Sequence, residues 1–298
     1  MPHRKIFRLH LPTTHTLVLG KRTLLMGVLN ITPDSFSDGG QFLTPDRAIK
    51  RAFSLQASGA DLLDIGAEST RPGSIGITVV EELRRLLPVL QALRGKLKIP
   101  ISIDTRKASV AEIAIGAGAE IINDVSGLND DPRIAEVAAR RGVPLILMHI
   151  RGEPRTMQKA PFARNVMKDV TRGLRASIQK ARTAGVTGSQ IIIDPGIGFG
   201  KSFQQNYEIL RRLPELAKLG YPLLVGTSRK GFLGQTLALA KKSTAGGTKP
   251  VPAEERIWAT AATVTASILG GAHIVRVHDV AEMAQVTSVA DHLLNPQL

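Results

Sequence analysis

Eight short apolar runs in this chain stop at residues that can hydrogen-bond, carry charge or ligate a metal. Those residues are Asn30, Asp64, Asp104, Asn123 with Asp124, His149, Asp194, Ser228 with Arg229 and Lys230, and Arg276 with His278. A strand end is often polar because it meets solvent, yet so uniform a series is hard to attribute to solvent alone. Asp104, Asn123, Asp194 and Lys230 form one set. Carboxylates and an amide on one wall can pair with the N–H edges of a heterocycle such as an aminopyrimidinone, where bidentate contacts fix orientation. A lysine beside two aspartates is also what a structural ion-pair network uses, and residue type leaves both readings open. Asn30, Arg276 and His278 form a second set. Arg276 and His278 are two apart on an extended segment, so both leave the same face. With the N-terminus of the helix that follows, they suit a phosphate or pyrophosphate. Asn30 and phosphate oxygens could share a Mg²⁺ ion, which keeps most of its waters and takes few protein ligands. The alternative for His278 is capping of the last helix.

These side chains converge only if the elements carrying them form a closed arrangement. The apolar runs are LLMGVLN (24–30), DLLDIG (61–66), IPISIDT (99–105), EIINDV (120–125), PLILMH (144–149), IIIDPG (191–196), YPLLVGTS (221–228) and HIVRVH (273–278). They are continuously apolar, as strands buried on both faces are. Helical spacing follows each one. Thr44-Pro45-Asp46, Thr78 with Glu81, Asp131-Pro132 and Ser202 with Gln205 all read as helix starts. Ile257, Ala261, Val264 and Ile268 continue the pattern. Eight strand-helix units without a linker predict an α/β fold, a single (β/α)8 TIM barrel spanning 1–298, with a doubly wound sheet as the runner-up. Residues 1–22 read as an N-terminal extension containing a small hairpin (5–20) that closes the barrel bottom. AKKSTAGGTKPVP (240–252) reads as a mobile loop. In a barrel, strand C-termini share one face with the loops after them. There the polar stretches 32–40 and DIGAESTRPGS (64–74) read either as lids or as plain surface loops.

Composition narrows the partners. The chain has 298 residues, 43% of them hydrophobic, without an apolar run long enough for a membrane helix. Its start lacks a signal-peptide pattern, and the absence of cysteine suits a reducing cytoplasm and leaves no thiolate chemistry. The net charge of +14 admits a nucleic acid, an anionic substrate or simply a basic surface. Dispersed basic residues with two tyrosines and one tryptophan argue against a nucleic-acid platform. DPGIGFGKS (194–202) imitates a phosphate-binding loop, but Pro195 stands where that motif needs its first glycine. Its glycines instead suit close approach to a flat ligand, with Phe199 as a stacking face.

Taken together, MGVLNITPDSFSDGG, DIGAESTRPGS, SIDTRK, IINDVSG, LMHIRGEPRTMQ, IIDPGIGFGKS, GTSRKGFLG and RVHDV resemble the dihydropteroate synthase family, in family order from residue 26 to about 280. The resemblance implies condensation of 6-hydroxymethyl-7,8-dihydropterin pyrophosphate with p-aminobenzoate, giving 7,8-dihydropteroate and pyrophosphate in folate biosynthesis. It implies a pterin pocket of Asp104, Asn123, Asp194 and Lys230 lined by Met148, Phe199 and Gly226. It places Asn30, with Mg²⁺, beside Arg276 and His278 at the pyrophosphate, and Thr70, Arg71 and Ser228 at the diphosphate and aminobenzoate. Residues 31–40 become a lid with Asp34 and Phe36 facing inward. Asp104, Lys230, Arg276 and His278 take the catalytic roles: pyrophosphate leaves first, and the aniline nitrogen attacks a pterin cation. A homodimer, with the exposed face of the Trp258 helix as an interface, a cytoplasmic location and a place among sulfonamide targets are further expectations. Ala67 stands where the family often has glycine, and 235–252 exceeds the usual connector. Two alternatives remain: a pterin-binding domain that passes a methyl group to a corrinoid, against which the diphosphate-directed SRK (228–230) and R-x-H (276–278) argue, and an inactive paralogue.

Overall fold

The computed structural model describes all residues except 1–3, 14–15, 33–44, 71–72, 154–155, 158–161, 246–248 and 298, with backbone alone for 241–245. Two short strands, β1 (Phe7–His10) and β2 (Thr16–Leu19), pair antiparallel as the expected hairpin. Eight parallel strands follow: β3 (Leu24–Asn30), β4 (Leu62–Gly66), β5 (Ile101–Asp104), β6 (Ile121–Asp124), β7 (Leu145–Met148), β8 (Ile191–Asp194), β9 (Leu224–Val225) and β10 (Ile274–Val277). Their order is β8-β7-β6-β5-β4-β3-β10-β9, and an Ile193–Leu223 bridge closes β9 onto β8. The helices are α1 (Pro45–Ala57), α2 (Val79–Leu93), α3 (Ala108–Gly116), α4 (Arg133–Arg141), α5 (Val166–Thr183), α6 (Phe203–Arg211), α7 (Leu213–Ala217), α8 (Gly231–Ala245), α9 (Ile257–Leu269) and α10 (Val280–Leu294). This is the (β/α)8 barrel, with α6 and α7 sharing one excursion.

Local chemistry accounts for several element boundaries. Ser202 and Gln205 form the reciprocal capping box at α6, and Thr78 accepts from the Glu81 amide at α2. Asp131 serves two helices: its Oδ1 accepts from the Arg133 amide at 3.3 Å where α4 opens, as expected, and its Oδ2 accepts from the Ala108 amide at 2.9 Å at the start of α3. The stretch expected to be a loop from residue 240 is helical through Ala245, because Leu-Ala-Leu-Ala-Lys-Lys is a run of good helix formers.

Strand geometry explains how the barrel acquires a polar end. Every second residue faces inward. At the N-terminal end those residues are Leu24, Met26, Leu62, Ile121, Ile146, Ile192, Leu224 and Ile274, which form one buried cluster with Leu9, Leu11 and Leu19 of the hairpin region. The hairpin therefore stoppers the bottom, as expected. The alternate residues, among them Leu25, Leu63, Ile103, Ile122, Leu147, Ile193 and Val275, pack outward against the helices. Counting on in twos from the bottom layer gives Asp64, Asn123, Met148, Asp194, Gly226 and Arg276.

A histidine latches the stopper. His273 Nδ1 accepts from the Leu223 amide at 3.1 Å, and the opposite nitrogen lies 3.0 Å from the Lys5 carbonyl, to which it donates. The Phe7 ring meets the imidazole edge-on at 5.2 Å. Burial lowers His273 from 6.5 to about 4, so it folds neutral. Its contribution is complete above the unfolded value and is lost as pH falls from about 6.5 to about 4, at most about 3 kcal/mol. His273→Gln keeps an acceptor and a donor without a titrating ring. Acid melts of wild type should therefore steepen in that window relative to the variant, and parallel curves would refute the latch.

Candidate active site

The polar end of the barrel is organised around a fully buried carboxylate. Asp64, the third residue of β4, has no exposed surface. Its Oδ2 accepts from Arg276 Nε at 2.6 Å and from Asn123 Nδ2 at 3.1 Å. Arg276 Nη2 reaches across to Asp104 Oδ2 at 3.0 Å. One guanidinium thus joins two acids, and the two sets separated by residue type meet at Arg276. Although burial works against it, Asp64 and Asp104 hold the Arg276 guanidinium above its ordinary value. Burial and then the Asp64 charge push Asp104 up to about 7.

Across the barrel, Asp194 ends β8 and its Oδ1 accepts from the Gly196 amide at 2.7 Å, while burial raises it to about 6. Lys230 is half-buried and lowered to about 8 by burial and then by Arg276, with Asp194 and Asp104 acting the other way. Its ammonium lies 4.1 Å from the Phe199 ring centroid, so one face of the expected stacking ring already carries a cation. Arg229 adopts φ 59°, a left-handed conformation uncommon for a side chain of this size. Its guanidinium pairs with Asp279 through Nε, 3.0 Å, and Arg256 holds its carbonyl at 2.7 Å. Arg229 is therefore a brace for the Ser228–Lys230 turn and not a ligand group.

Ser228 is buried, and its Oγ lies 3.0 Å from His278 Nδ1. Burial, with Arg276 next, lowers His278 to about 3, so without an anion nearby the imidazole is neutral at pH 7. Asn30 ends β3 half-buried, and β10 pairs with β3 so that Val277 stands opposite Gly27. Asn30 and His278 therefore leave the same end of adjacent strands. Met148 is buried at the end of β7. A Cβ at Gly226 would sit 3.6 Å from that of Arg276, ordinary contact, so the guanidinium does not demand glycine there. Thr70 is half-buried in the loop after β4. Asp34, Phe36 and Arg71 lie outside the described residues.

Two strand-end residues, His149 and Asp124, and the loop residue Glu68 turn away from the ligand side. His149 packs against Gly173 of α5, where a Cβ would meet its ring at 2.4 Å, and burial, with Lys201 next, lowers it to about 2. Asp124 spends its carboxylate on Ser126 and Leu128. Glu68 anchors the loop after β4 by ion pairs to Arg106 and Lys107, and Lys107 continues to buried Glu82 at 2.6 Å.

Two residues escaped residue-type reasoning. Asp64 was visible as a strand end, and its inward parity, two beyond Leu62, was the available signal. Lys201, the lysine of the rejected phosphate-loop pattern, is buried and donates to the His149 and Gly196 carbonyls, each at 2.8 Å. Burial lowers it to about 7, with Asp194 and Asp169 pulling upward. It clamps two loops together. Gly196, at φ 66°, fits beneath it because a Cβ would lie 1.9 Å from the His149 oxygen.

Comparison with known proteins agrees with this geometry. Residues 26–278 match the family described as "Pterin binding enzyme". The dihydropteroate synthase of Synechocystis sp. is 50% identical over 284 residues, covering 95% of this chain and 94% of that protein. A Yersinia pestis dihydropteroate synthase, solved as a sulfonamide drug complex, superposes with a TM-score of 0.87 at 38% identity, covering 98% of this chain and all of that one. The Xanthomonas albilineans enzyme, solved with 7,8-dihydropteroate, gives 0.82 at 36% identity, covering 97% and 99%. The chain belongs to the dihydropteroate synthases, transferases of folate synthesis within the pterin-binding enzyme family.

Proposed function

We propose that the acids Asp104 and Asp194, with Asn123 and Lys230, hold the dihydropterin, while Arg276 and His278 receive its diphosphate. The observation that carries this is Arg276. Its Nε and Nη2 are occupied by Asp64 and Asp104, yet neither bond uses Nη1. The same guanidinium can thus face a departing phosphate while touching an acid of the pterin wall.

The reaction follows from where charge develops. The bond between the exocyclic methylene and the diphosphate oxygen breaks, with its electron pair leaving on oxygen. Asp104 and Asp194 stabilise the positive charge left on the pterin, and that charge in turn favours their ionised forms. Arg276 stabilises the leaving anion. His278, neutral beforehand, donates a hydrogen bond, and the anion draws its proton affinity upward. The aniline nitrogen of p-aminobenzoate forms the new C–N bond and sheds a proton. No nucleophilic side chain takes part.

For Mg²⁺, the donor chemistry fits a cation brought in with substrate. Asn30 offers one hard amide oxygen at the end of β3, and among the described residues no three His, Asp or Glu side chains form a cage. Asn30 would hold Mg²⁺ together with the substrate's phosphate oxygens, and the ion would supply charge neutralisation to the leaving group. Homodimerisation finds support in the helix face carrying Trp258, which is 81% exposed. Among the described residues no helix is long and apolar enough to cross a membrane, and we take the working compartment to be the cytoplasm.

The test measures pyrophosphate release from the dihydropterin diphosphate with and without p-aminobenzoate and Mg²⁺. Product formation should require aminobenzoate, in step with pyrophosphate. Its absence in the wild-type protein would overturn the reading.

A further inference from the structure

We infer that Asp64 is a positioning residue that fixes the hydrogen-bonding direction of Asn123 and the rotation of Arg276 before any ligand arrives. The inference rests on the synthase reading and deepens it.

Asp64 is sealed from solvent by its neighbours on β4 and by the strands on either side, and it lies one inward layer below the mouth. An ionised carboxylate can only accept, so the amide beside it must turn its NH₂ group toward it. That is the observed arrangement, with Asn123 Nδ2 donating at 3.1 Å. The Asn123 oxygen is thereby left for the ligand side as an acceptor. Without Asp64 the amide is free to rotate by half a turn and offer the wrong group. The Arg276 bond acts similarly: with Nε fixed at 2.6 Å and Nη2 on Asp104, the plane of the guanidinium is determined by two acids on different strands. Such planar, charge-assisted contacts carry geometric specificity as well as energy.

The second carboxylate oxygen sharpens the point. Asp64 Oδ1 is buried without a hydrogen-bond partner among the described residues. A group retained only for stability would satisfy both oxygens or be replaced by an apolar side chain, since a buried ion pair is weak evidence of stability. Here the carboxylate keeps one unsatisfied oxygen, while the other orients two groups that face the site.

The test is a swap measured by calorimetric binding of 6-hydroxymethylpterin, a ligand without phosphates, together with steady-state kinetics. Asn123→Asp sets two carboxylates against each other and should weaken pterin binding by about 100-fold or more. Adding Asp64→Asn lets the new amide at 64 donate to the new carboxylate at 123 only by withdrawing the acceptor that Arg276 Nε uses, since both bonds fall on Asp64 Oδ2. Recovery is therefore read on the phosphate-free pterin, while the KM for the diphosphate substrate stays raised. The double variant should then recover at least about tenfold over Asn123→Asp alone. Asp64→Asn alone should raise the KM for the diphosphate substrate and weaken pterin binding in a way that is not additive with Asn123→Ala. Circular dichroism and melting establish that each variant is folded. If Asp64→Asn alone fails to fold, the Asn123→Asp background still decides the matter. Additive losses, or a folded double variant without recovery, would overturn the inference. Failure of wild type to make dihydropteroate would overturn the synthase reading instead, so the two failures are distinct.

Discussion

Asp194→Asn should lower kcat/KM by about 10³-fold and at the same time make the protein more stable at about pH 7.5. The activity loss follows from direction. Asp194 Oδ1 accepts from the Gly196 amide, so an asparagine would keep its oxygen there and turn its NH₂ toward the pterin, donor against donor. The stability gain follows from burial, which raises Asp194 from 3.8 to about 6. With a folded value above the unfolded one, its favourable contribution is complete below about pH 3.8 and is lost as pH rises through about 6. Above that the charged form costs up to about 3 kcal/mol, which the amide avoids. Kinetics and thermal melts across pH check both halves, and the stability gain should vanish toward about pH 4. Undiminished activity would remove Asp194 from the pterin wall, and a destabilised variant would mean its charge supports the fold. A residue that improves function while straining the fold is the usual signature of a working site.

Arg276→Met should show the opposite coupling. Activity should fall by about 10³-fold, because the leaving anion loses its cation, and stability should fall by about 3–5 kcal/mol at neutral pH, because Asp64 and Asp104 are left buried without a counter-ion. Removing the cation pushes Asp104 further up from its present value of about 7. The sign follows: folded-state affinity for protons rises, so the variant should regain stability as pH falls and the carboxyl group protonates, while wild type gains less. Melting curves at about pH 8 and pH 5.5 check this. A variant that loses activity with an unchanged melt would make Arg276 a substrate contact alone.

The barrel was legible because its strands are continuous apolar runs and several helices begin on side chains that satisfy free amides. Ser202 with Gln205 and Thr78 behave as their types predict. The 240–245 segment has the composition of a loop, yet its alanines and lysines are good helix formers and continue α8. Most of the site was legible as strand ends, yet residue type could not say which ends turn inward. His149 and Asp124 turn to their own surroundings, and Arg229 serves the backbone it belongs to. Nor could type assign Arg276 to one set, since whether a guanidinium pairs with acids or awaits an anion depends on distances across the barrel. Asp64 needed the strand period as well as its type, and Lys201 needed the approach of two loops far apart in the chain.

The closure between β8 and β9 has a mechanical consequence. β7 and β8 run together from Leu145–Ile191 to Met148–Asp194, whereas β8 meets β9 at one bridge, Ile193–Leu223, with Ile193 N also donating to the Pro222 carbonyl at 3.0 Å. The ring is thus a clasp with a single hook, and its seam is the place where backbone amides can exchange with the least opening. Asp194 stands on one lip of that seam and Lys230 just beyond the other. A pterin held by both side chains, as proposed above, would tie the clasp shut, so that substrate binding and the integrity of the barrel wall would become one equilibrium.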